Sequence, residues 1–341
     1  MDTSLFDYVL PPERIAHQSI EPRDHAKLLE LDRSTGELSD RHVFDLPDLL
    51  QPGDVLVFND SKVFKARFFA KKATGATIEL LFHKPLDSYR WEVLAKPSKR
   101  LQPGDVITLD GGWSATVESK DPIGGTVTLQ LTESTEAFFA YSDKYGDVPT
   151  PPYVRATDAT KAGYQTVYAK TTGSVAAPTA GFHFTEELLA KLDARGIKRV
   201  FVTLHVGIGT FRPMNDGALA DHVMHEEWGH VPAETVHAIH AAKTAGKRVI
   251  AVGTTATRAL ESAANAHQPL EAWSGWTNLF ITPGYTFRVI DGLMTNFHLP
   301  KSTLMVLVSA LAGIEPIKKA YQHAIEHEYR FYSFGDAMLI L

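Results

Sequence analysis

Hydrophobic and polar residues alternate in two different ways along this chain. Residues 55–58 form an unbroken apolar run that ends at Asn59, Asp60 and Ser61, which is the pattern of a buried strand followed by a polar loop or by an ordinary turn. From there to about residue 150, short runs rich in β-branched residues alternate partly between apolar and polar side chains. They predict a small antiparallel sheet or barrel, with strands at 76–82, 89–94, 113–118 and 126–131.

The second pattern follows a proline-rich linker at residues 148–153. Helical and strand-like segments alternate beyond it, and an additional strand is predicted at 28–32. Helices are predicted at 186–195, 233–245, 254–264 and 315–329, and strands at 199–204, 248–252 and 337–341. This alternation is typical of an α/β domain with a largely parallel sheet.

One hexapeptide, Leu-Gln-Pro-Gly-Asp-Val, occurs at residues 50–55 and again at 101–106. Proline followed by glycine fits a type II turn, in which glycine occupies the position that needs a positive φ. Two copies are too few for a repeat protein. We therefore predict the same turn at the entrance to two strands.

The stretch 295–313 is polar in its first half and almost wholly apolar in its second half. It predicts a polar loop that leads into a buried helix capped by Ser302 or Thr303. Such a loop can hold reactive groups on a rigid scaffold, and Asn296, His298 and Lys301 are candidates. The alternative is a helix start with a few capping side chains.

Composition and charge narrow the choice of protein class. The 341 residues, 44% hydrophobic and 22% charged, are ordinary for a globular protein of about two domains. The absence of cysteine excludes disulfides, iron–sulfur clusters and thiolate zinc sites within the chain. We expect no signal peptide, no membrane span and a cytoplasmic location, because residues 1–10 lack an apolar core and the longest apolar run, 304–314, is short.

A net charge of −6 means that any contact with RNA requires a local basic patch. One such patch lies in the predicted β region, where aromatic residues interleave with basic ones. Its candidate RNA-binding residues are Lys62, Lys65, Arg67, Lys71 and Lys72. Basic and aromatic β surfaces can bind phosphates and stacked bases. The alternative is a solvated face with Phe64, Phe68 and Phe69 in the core.

Three further segments place polar residues beside a regular element. Residues 176–185 hold Thr179, Gly181 and His183, and residues 204–211 hold His205, Gly207 and Thr210. Neither is a dinucleotide fingerprint, because the third glycine of that motif is missing. In the third segment a strand runs through Gly253, Thr254 and Thr255 into a helix, which favours an anion site. Arg258 could clamp the anion or could be structural.

Histidine spacing offers a weak signal for a metal. The pairs His222/His225 and His237/His240 have spacings compatible with a metal on one helix face. Residues 225–229 fail the zincin pattern, because the fifth residue is glycine. With no cysteine and no clear third ligand, we predict no metal, and we expect His237 and His240 to lie on an exposed helix face.

Taken together, these segments resemble the S-adenosylmethionine:tRNA ribosyltransferase-isomerase family of queuosine synthesis over nearly the whole chain. The motifs that carry the resemblance lie at 7–17, 53–59, 164–168, 177–183, 202–211, 221–225, 252–254, 295–300 and 329–336. The resemblance implies an α/β domain interrupted by a small β-barrel domain. We therefore predict a discontinuous α/β catalytic domain at 1–58 and 151–341, with an inserted antiparallel barrel at 59–150.

The resemblance also implies the reaction. The ribosyl part of S-adenosylmethionine is transferred and isomerised onto 7-aminomethyl-7-deazaguanine at the tRNA wobble position, giving epoxyqueuosine-tRNA, adenine and methionine. S-adenosylmethionine is then a consumed substrate, and no cofactor is expected. We expect the protein to act as a monomer.

This chemistry suits the residue types of the candidate loops. A sulfonium acidifies the protons of the adjacent 5′ carbon, and histidine is the side chain that titrates near neutral pH. His183, His205 and His298 are the candidate bases, and the sequence does not rank them. The remaining candidates bind substrate: Asn59, Thr179, Gly181, Gly207, Thr210, Gly253, Thr254, Thr255, Arg258, Asn296, Lys301 and Ser302.

Two other functions compete with this interpretation. One is an S-adenosylmethionine-dependent methyltransferase, which would release S-adenosylhomocysteine. The other is a non-catalytic RNA-binding protein built on the basic β region. The polar segments that follow Leu204 and Val252 argue against a pure binding protein, because such a protein has no need of them.

Overall fold

The computed structural model describes residues 1–121, 125–150, 157–207 and 214–341. The strands are β1 (Lys27–Leu31), β2 (Leu38–His42), β3 (Val55–Asn59), β4 (Ser61–Val63), β5 (Arg67–Lys72), β6 (Thr77–Pro85), β7 (Arg90–Lys96), β8 (Val106–Leu109), β9 (Ser114–Lys120), β10 (Thr126–Leu131), β11 (Thr171–Ser174), β12 (Lys198–Leu204), β13 (Glu227–Val231), β14 (Val249–Val252), β15 (Trp273–Thr277), β16 (Gly292–Asn296) and β17 (Ala337–Ile340). The helices are α1 (Leu46–Leu49), α2 (Thr135–Tyr145), α3 (Asp158–Ala162), α4 (Glu186–Ala194), α5 (Ala233–Thr244), α6 (Thr254–Ala266), α7 (Thr303–Ala312) and α8 (Ile314–Glu326).

The chain forms two compact units. The α/β unit comprises Met1–Lys62, Pro152–Thr171 and Ala177–Leu341, and the barrel unit comprises Val63–Pro151 and Thr172–Ala176. The second half of the predicted linker, residues 151–153, lies outside the described residues. In the described ranges, each helix is too short or too polar to cross a bilayer.

The α/β unit is built on a nine-stranded sheet with the order β15-β13-β12-β3-β14-β16-β17-β1-β2. Its central strands β12, β3, β14 and β16 run parallel to one another. Antiparallel pairs join β15, β13 and β12 on one side and β16 and β17 on the other, while β17 and β1 are again parallel. The predicted α/β class is confirmed, and the sheet is mixed, with a parallel centre.

Strand β3 shows why the centre of the sheet is apolar at every position. Val55 and Val57 pack into one hydrophobic cluster with residues of α5 to α8, whereas Leu56 and Phe58 pack into a second cluster with residues of α4. Successive side chains of a strand point to opposite faces, and both faces of this strand are covered. The predicted unbroken apolar run is therefore a strand buried on both sides.

The parallel centre brings several chain segments to one edge. Strands β12, β3, β14 and β16 end at Leu204, Asn59, Val252 and Asn296, and each of these ends leads into a polar segment. Ligands of open α/β sheets bind at this carboxyl edge. The topology thus gathers segments that are up to about 240 positions apart in sequence, as the ends of β3 and β16 show.

The barrel unit is a closed barrel with the strand order β10-β7-β6-β5-β8-β9, and all of its pairs are antiparallel. It confirms the predicted barrel and adds β5. Helix α2 was not predicted; the Ser134 hydroxyl caps it by accepting from the backbone of Ala137 at 3.2 Å. Its Phe138 ring packs 4.5 Å from Phe82 and 4.8 Å from Trp91, measured between centroids.

The repeated hexapeptide forms the same turn twice, as predicted. The backbone N–H of Asp54 donates to the carbonyl three residues earlier at 2.9 Å, and that of Asp105 does the same at 3.0 Å. Gly53 has a φ of +92° and Gly104 a φ of +90°. The first copy leads into β3 and the second into β8, because each turn reverses the chain just before an apolar run.

The predicted helices are present with small shifts at their ends. Thr185 caps α4 by accepting from the backbone N–H of Leu188 at 3.1 Å, and Gly196 follows the helix at a φ of +74°. Helix α8 ends at Glu326, three residues before its predicted end. Ser302 caps α7 and accepts from the backbone N–H of Met305 at 3.1 Å, which settles the choice between Ser302 and Thr303.

Candidate active site

A cavity of about 670 Å³, its open mouth included, lies at the carboxyl edge of the sheet in the α/β unit. Its walls come from the segment before α4, the start of α6, the segment between β16 and α7, and the segment before β17. The lining residues are Ala177, Pro178, Thr179, Ala180, Val206, Gly253, Thr254, Thr255, Thr295, Asn296, Phe297, His298, Leu299, Ser302, Leu304, Tyr332 and Ser333. The fold thus brings together Thr179, Gly253, Thr254, Thr255, Asn296, His298 and Ser302 from the predicted set.

The N-terminus of α6 supplies hydrogen-bond donors to this cavity. Gly253 precedes the helix at a φ of +92°, a conformation that only glycine adopts readily. The first backbone N–H groups of a helix have no partner within it, and Thr254 and Thr255 begin α6. The buried Thr255 hydroxyl has no hydrogen-bond partner among the described residues. These groups fit a carboxylate or phosphate.

Asn296, at the end of β16, is held on three sides. Its Nδ2 donates to the carbonyl of Tyr332 at 3.1 Å, and its Oδ1 accepts from the Thr179 hydroxyl at 3.0 Å. Since a carbonyl can only accept, Nδ2 must be the donor in its 3.2 Å contact with Nε2 of His183. His183 is therefore neutral, with its proton on Nδ1.

His298 lies in the cavity wall. Its Nε2 is 3.1 Å from the Thr295 hydroxyl, and its backbone N–H donates to the Tyr321 hydroxyl at 2.9 Å. The Tyr8 hydroxyl donates to its carbonyl. Its Nδ1 makes no hydrogen bond within the described part of the chain. Burial lowers the pKa of His298 to about 3, so the ring is an uncharged imidazole at neutral pH.

The other two candidate bases lie behind or beside the cavity. Burial and the positive charges of Arg330 and Arg23 lower the pKa of His183 to about 3, and Asn296 separates its Nε2 from the cavity. Nδ1 of His205 is 2.8 Å from the Ser61 hydroxyl, and its ring stacks on Trp228. Burial lowers the pKa of His205 to about 4. Neither histidine is among the described lining residues.

Arg258 and Gly207 both bond to Glu227, a residue that the sequence did not single out. The Arg258 guanidinium donates through Nη1 to the Glu227 carboxylate and through Nε to the Leu279 carbonyl at 3.1 Å. The other carboxylate oxygen of Glu227 accepts from the backbone N–H of Gly207 at 2.9 Å. Glu227 thus balances the charge of Arg258, away from the cavity wall. Its sequence signal is an acidic side chain in the inward register of β13, which it shares with Gly229 and Val231.

Four other predicted substrate-binding residues lie outside the cavity wall or outside the described residues. The Asn59 amide bonds to backbone groups: to the N–H and the carbonyl of Leu204 at 3.0 Å each, and to the N–H of Ser61 at 3.1 Å. Gly181 packs so closely on Tyr168 that a Cβ would lie 1.9 Å from the tyrosine oxygen. Lys301 pairs with Asp216 at 2.8 Å. Thr210 lies outside the described residues.

Tyr332 is a cavity residue that the sequence analysis did not single out. It has a φ of +74°, an uncommon conformation for a bulky residue. Its N–H donates to the Phe297 carbonyl at 3.2 Å, and its own carbonyl accepts from Asn296. These bonds hold the segment before β17 against the end of β16. Such conformations concentrate at functional sites.

The predicted RNA-binding residues differ in their surroundings. Lys65 donates to the Asp143 carbonyl at 2.7 Å, Arg67 pairs with Glu79 at 2.6 Å, and Lys72 pairs with Asp105 at 2.7 Å. Lys62 and Lys71 are exposed. Phe64 and Phe68 are buried in the core, whereas Phe69 is 52% exposed on β5. The outward face of β5 therefore carries Phe69 beside Lys71.

The histidine pairs weighed as metal ligands are placed differently. His222 and His225 lie outside the helices, so the helix-face arrangement weighed for this pair does not occur. His237 and His240 are exposed on α5, as expected. His240 Nε2 lies 2.9 Å from the Leu270 carbonyl, which occupies one of its two ring nitrogens.

Comparisons with known proteins agree with this architecture. The family model of queuosine biosynthesis protein matches residues 3–340. An S-adenosylmethionine:tRNA ribosyltransferase-isomerase of Thermosynechococcus vestitus is 49% identical over 340 residues, covering 98% of this chain and 95% of the relative. A protein of the same name from Nostoc is 47% identical over 368 residues, covering 100% of this chain and 92% of the relative.

A solved structure is also similar. The crystal structure of the S-adenosylmethionine tRNA ribosyltransferase of Thermotoga maritima is 36% identical, with a TM-score of 0.58. The likeness covers 99% of this chain and 100% of that chain. Matches that extend over the whole length at these identities leave the family in no doubt. This chain belongs to the queuosine biosynthesis protein family of S-adenosylmethionine:tRNA ribosyltransferase-isomerases.

Proposed function

We propose that this enzyme transfers and isomerises the ribosyl part of S-adenosylmethionine onto 7-aminomethyl-7-deazaguanine at the wobble position of tRNA. The products are epoxyqueuosine-tRNA, adenine and methionine. Family membership supports the reaction. The observation that carries the site assignment is one cavity lined both by the donor-rich start of α6 and by the neutral imidazole of His298. S-adenosylmethionine is a consumed substrate, and the reaction uses no cofactor.

The start of α6 binds the methionine carboxylate in this proposal. The backbone N–H groups of Thr254 and Thr255 and the positive end of the helix dipole favour a negative charge. The Thr255 hydroxyl is buried without a partner, and a carboxylate oxygen would satisfy it. Arg258 acts indirectly, since its contacts with Glu227 and Leu279 fix α6 against the neighbouring segments.

His298 serves as the base. The sulfonium of S-adenosylmethionine acidifies the protons on the 5′ carbon, and Nδ1 of His298 is the ring nitrogen left to accept one. Loss of this proton leads to ring opening and departure of adenine. The amine of the RNA-borne base then attacks the activated carbon chain, and methionine leaves. His183 positions Asn296, which with Thr179 provides polar contacts for the ribose.

The tRNA contact, the oligomeric state and the cellular location also belong to this proposal. The tRNA anticodon loop contacts exposed lysines, of which Lys62 and Lys71 are best placed because the described structure gives neither an acidic partner. We expect the enzyme to work as a monomer in the cytoplasm. Light scattering coupled to size exclusion, with and without tRNA, tests the monomer directly.

A product assay tests the reaction. The enzyme is incubated with S-adenosylmethionine and an anticodon stem-loop that carries 7-aminomethyl-7-deazaguanine, and free adenine and methionine are measured by chromatography. Both should appear together with a matching mass gain on the RNA. Release of S-adenosylhomocysteine would instead indicate a methyltransferase. RNA binding without any turnover would favour a binding protein.

Alanine substitutions of two histidines test whether His298 is the base. His298→Ala should lower kcat by roughly 10²- to 10⁴-fold, the usual contribution of a general base. His205→Ala is the matched control, because it removes another uncharged imidazole that lies beside the cavity wall. Binding of S-adenosylmethionine, measured by calorimetry, should persist in both variants. Normal turnover of His298→Ala would refute the assignment.

A further inference from the structure

A cluster of potential metal ligands lies outside the cavity lining, where β2 meets the end of α8. One ring nitrogen each of His323 and His327 and one carboxylate oxygen of Asp40 lie within 4.8 Å of one another. Nε2 of His323 is 3.1 Å from both oxygens of Asp40. The two imidazole rings stack with centroids 3.8 Å apart. Three ligating side chains from two distant parts of the chain thus converge on one point.

Neighbouring groups hydrogen-bond these side chains and leave each of them an atom that can bind a metal. Nδ1 of His327 is 2.9 Å from the carbonyl of His323, so its N–H points there and Nε2 keeps its lone pair. A metal-bound histidine commonly donates its other N–H to a carbonyl in this way. The Tyr329 hydroxyl donates to Oδ1 of Asp40 at 2.5 Å and fixes the carboxylate. The second oxygen, Oδ2, faces Nε2 of His323 at 3.1 Å, and an ion would lie between these two atoms.

The local charges also favour a cation. Helix α8 ends at Glu326 and His327 caps it, so the negative end of the helix dipole lies beside the cluster. Asp40 adds a full negative charge. The opposing charge is Lys27, whose ammonium donates to the His327 carbonyl at 2.8 Å and lies 5.1 Å from the centre of the Tyr329 ring. Lys27 is therefore directed to a backbone carbonyl and an aromatic ring.

We propose that Asp40, His323 and His327 form a binding site for a divalent transition-metal ion of the Zn²⁺ class. Two imidazoles and a carboxylate are a common ligand set for zinc, with water completing a tetrahedron. Bonds of about 2.0–2.1 Å place tetrahedral ligand atoms roughly 3.3 Å apart, so the ligand atoms must approach one another by about 1.5 Å at most. One of the two stacked rings must also turn, so that the ion lies in the plane of both rings. Such a shift is within reach of partly exposed side chains.

The bound ion would join the sheet edge to the chain's last helix. β2 is one of the two edge strands of the nine-stranded sheet, and Asp40 is separated from His323 by 283 positions. An ion that binds only the folded state stabilises it. The sequence signal for this site is the i, i+4 spacing of the two histidines at the end of an amphipathic helix, which places both side chains on one face.

The test uses the full chain, freed of any affinity tag and treated with a chelator. Titration with Co²⁺ should give visible absorption of a tetrahedral site that saturates at one equivalent, and Zn²⁺ should abolish it. His327→Ala and the isosteric Asp40→Asn should each weaken Co²⁺ and Zn²⁺ binding roughly tenfold or more. Zn²⁺ should also raise the Tm of the wild type and not that of His327→Ala.

The matched control is the double variant His237→Ala/His240→Ala, which removes two exposed histidines from α5. It should bind Co²⁺ like the wild type. Circular dichroism establishes that each variant folds. Unchanged affinity in both His327→Ala and Asp40→Asn would overturn the proposal. So would the absence of Co²⁺ and Zn²⁺ binding up to about 0.1 mM, which is weak for a site with three protein ligands.

Discussion

Single side chains around the cavity owe their chemistry to burial. His183 and His298 have pKa values lowered to about 3 and His205 to about 4, mainly because a charged imidazole is disfavoured away from water. All three are therefore in the basic form at neutral pH. What distinguishes them is access: His298 lines the cavity, whereas Asn296 covers Nε2 of His183.

This lowered pKa predicts the pH dependence of turnover. A histidine with an ordinary pKa of about 6.5 would retain only about 3% of its basic form at pH 5. His298, with a pKa of about 3, stays deprotonated there. We expect kcat/KM to show no loss with an apparent pKa near 6.5 between pH 8 and pH 5. A fall with that pKa in a folded enzyme would contradict the role given to His298.

Gly181 illustrates a packing requirement. A Cβ at this position would lie 1.9 Å from the Tyr168 oxygen and 2.7 Å from Cγ2 of Thr166. Gly181→Ala should therefore lower the free energy of unfolding by about 1–3 kcal/mol, the usual cost of overpacking. Gly207→Ala is the control, since its Cβ would meet no atom of the described residues closer than 3.9 Å. Denaturant unfolding measures both; equal stabilities would contradict the packing argument.

Helix starts have two roles in this protein. Ser302 caps α7 and also lines the cavity, whereas Ser134 caps α2 in the barrel unit. Each hydroxyl accepts from a backbone N–H of the first turn. The Ser134 cap therefore stabilises the barrel unit, whereas the Ser302 cap stabilises the α/β unit and also forms part of the candidate site.

Replacing each capping serine by alanine distinguishes its effect on stability from its effect on substrate binding. Ser302→Ala and Ser134→Ala should each cost about 1 kcal/mol of stability, the typical value of an N-cap. Ser302→Ala alone should weaken binding of S-adenosylmethionine, because only Ser302 lines the cavity. Calorimetry measures this affinity. A matching loss of affinity in Ser134→Ala would show that the effect is one of stability.

Strand β5 carries the exposed lysine that we expect to contact tRNA. Lys71 is exposed beside Phe69, whereas Lys72 is paired with Asp105. Lys71→Gln should weaken tRNA binding and reduce the slope of log K against log salt by about 0.7–0.9, which corresponds to one lost phosphate contact. Lys319→Gln on α8 is the control with an exposed lysine elsewhere. Equal salt slopes for the wild type and Lys71→Gln would move the RNA contact to another surface.

For the molecule as a whole, the buried histidines couple stability to pH. Their folded pKa values of about 3, 3 and 4 lie below the unfolded value of 6.5, so the unfolded chain binds more protons as the pH falls. Stability is therefore full above about pH 6.5 and is lost as the pH falls towards 4. Each histidine contributes a slope of about 1.4 kcal/mol per pH unit in this window.

Unfolding by urea at pH 8, 7, 6 and 5 measures this dependence. His298→Asn should remove about a third of the slope that the three histidines contribute below pH 6, because one of the three groups no longer titrates. Between pH 8 and pH 7 the two proteins should have the same slope. An unchanged slope below pH 6 would show that His298 is not buried as a neutral ring.

Local rules determined much of this structure from the sequence. The repeated Pro-Gly turn, the capped start of α7 at Ser302 or Thr303, and the apolar run at 55–58 depend on neighbours only a few residues away, and the structure has each of them where the sequence predicts it. Whole-chain motif similarity likewise indicated the family and the inserted barrel. The turn, the cap and the strand are local, because backbone conformation, capping and strand periodicity act over a few residues.

Contacts between distant segments were decided only by the tertiary structure. The partnership of Arg258 with Glu227, the placement of His183 behind Asn296, and the positive φ of Tyr332 have no signal in a single segment. Asp40 and His323 meet only because β2 packs at the sheet edge beside the end of α8. The sequence determined which side chains were available; burial and the sheet order determined which of them share one site.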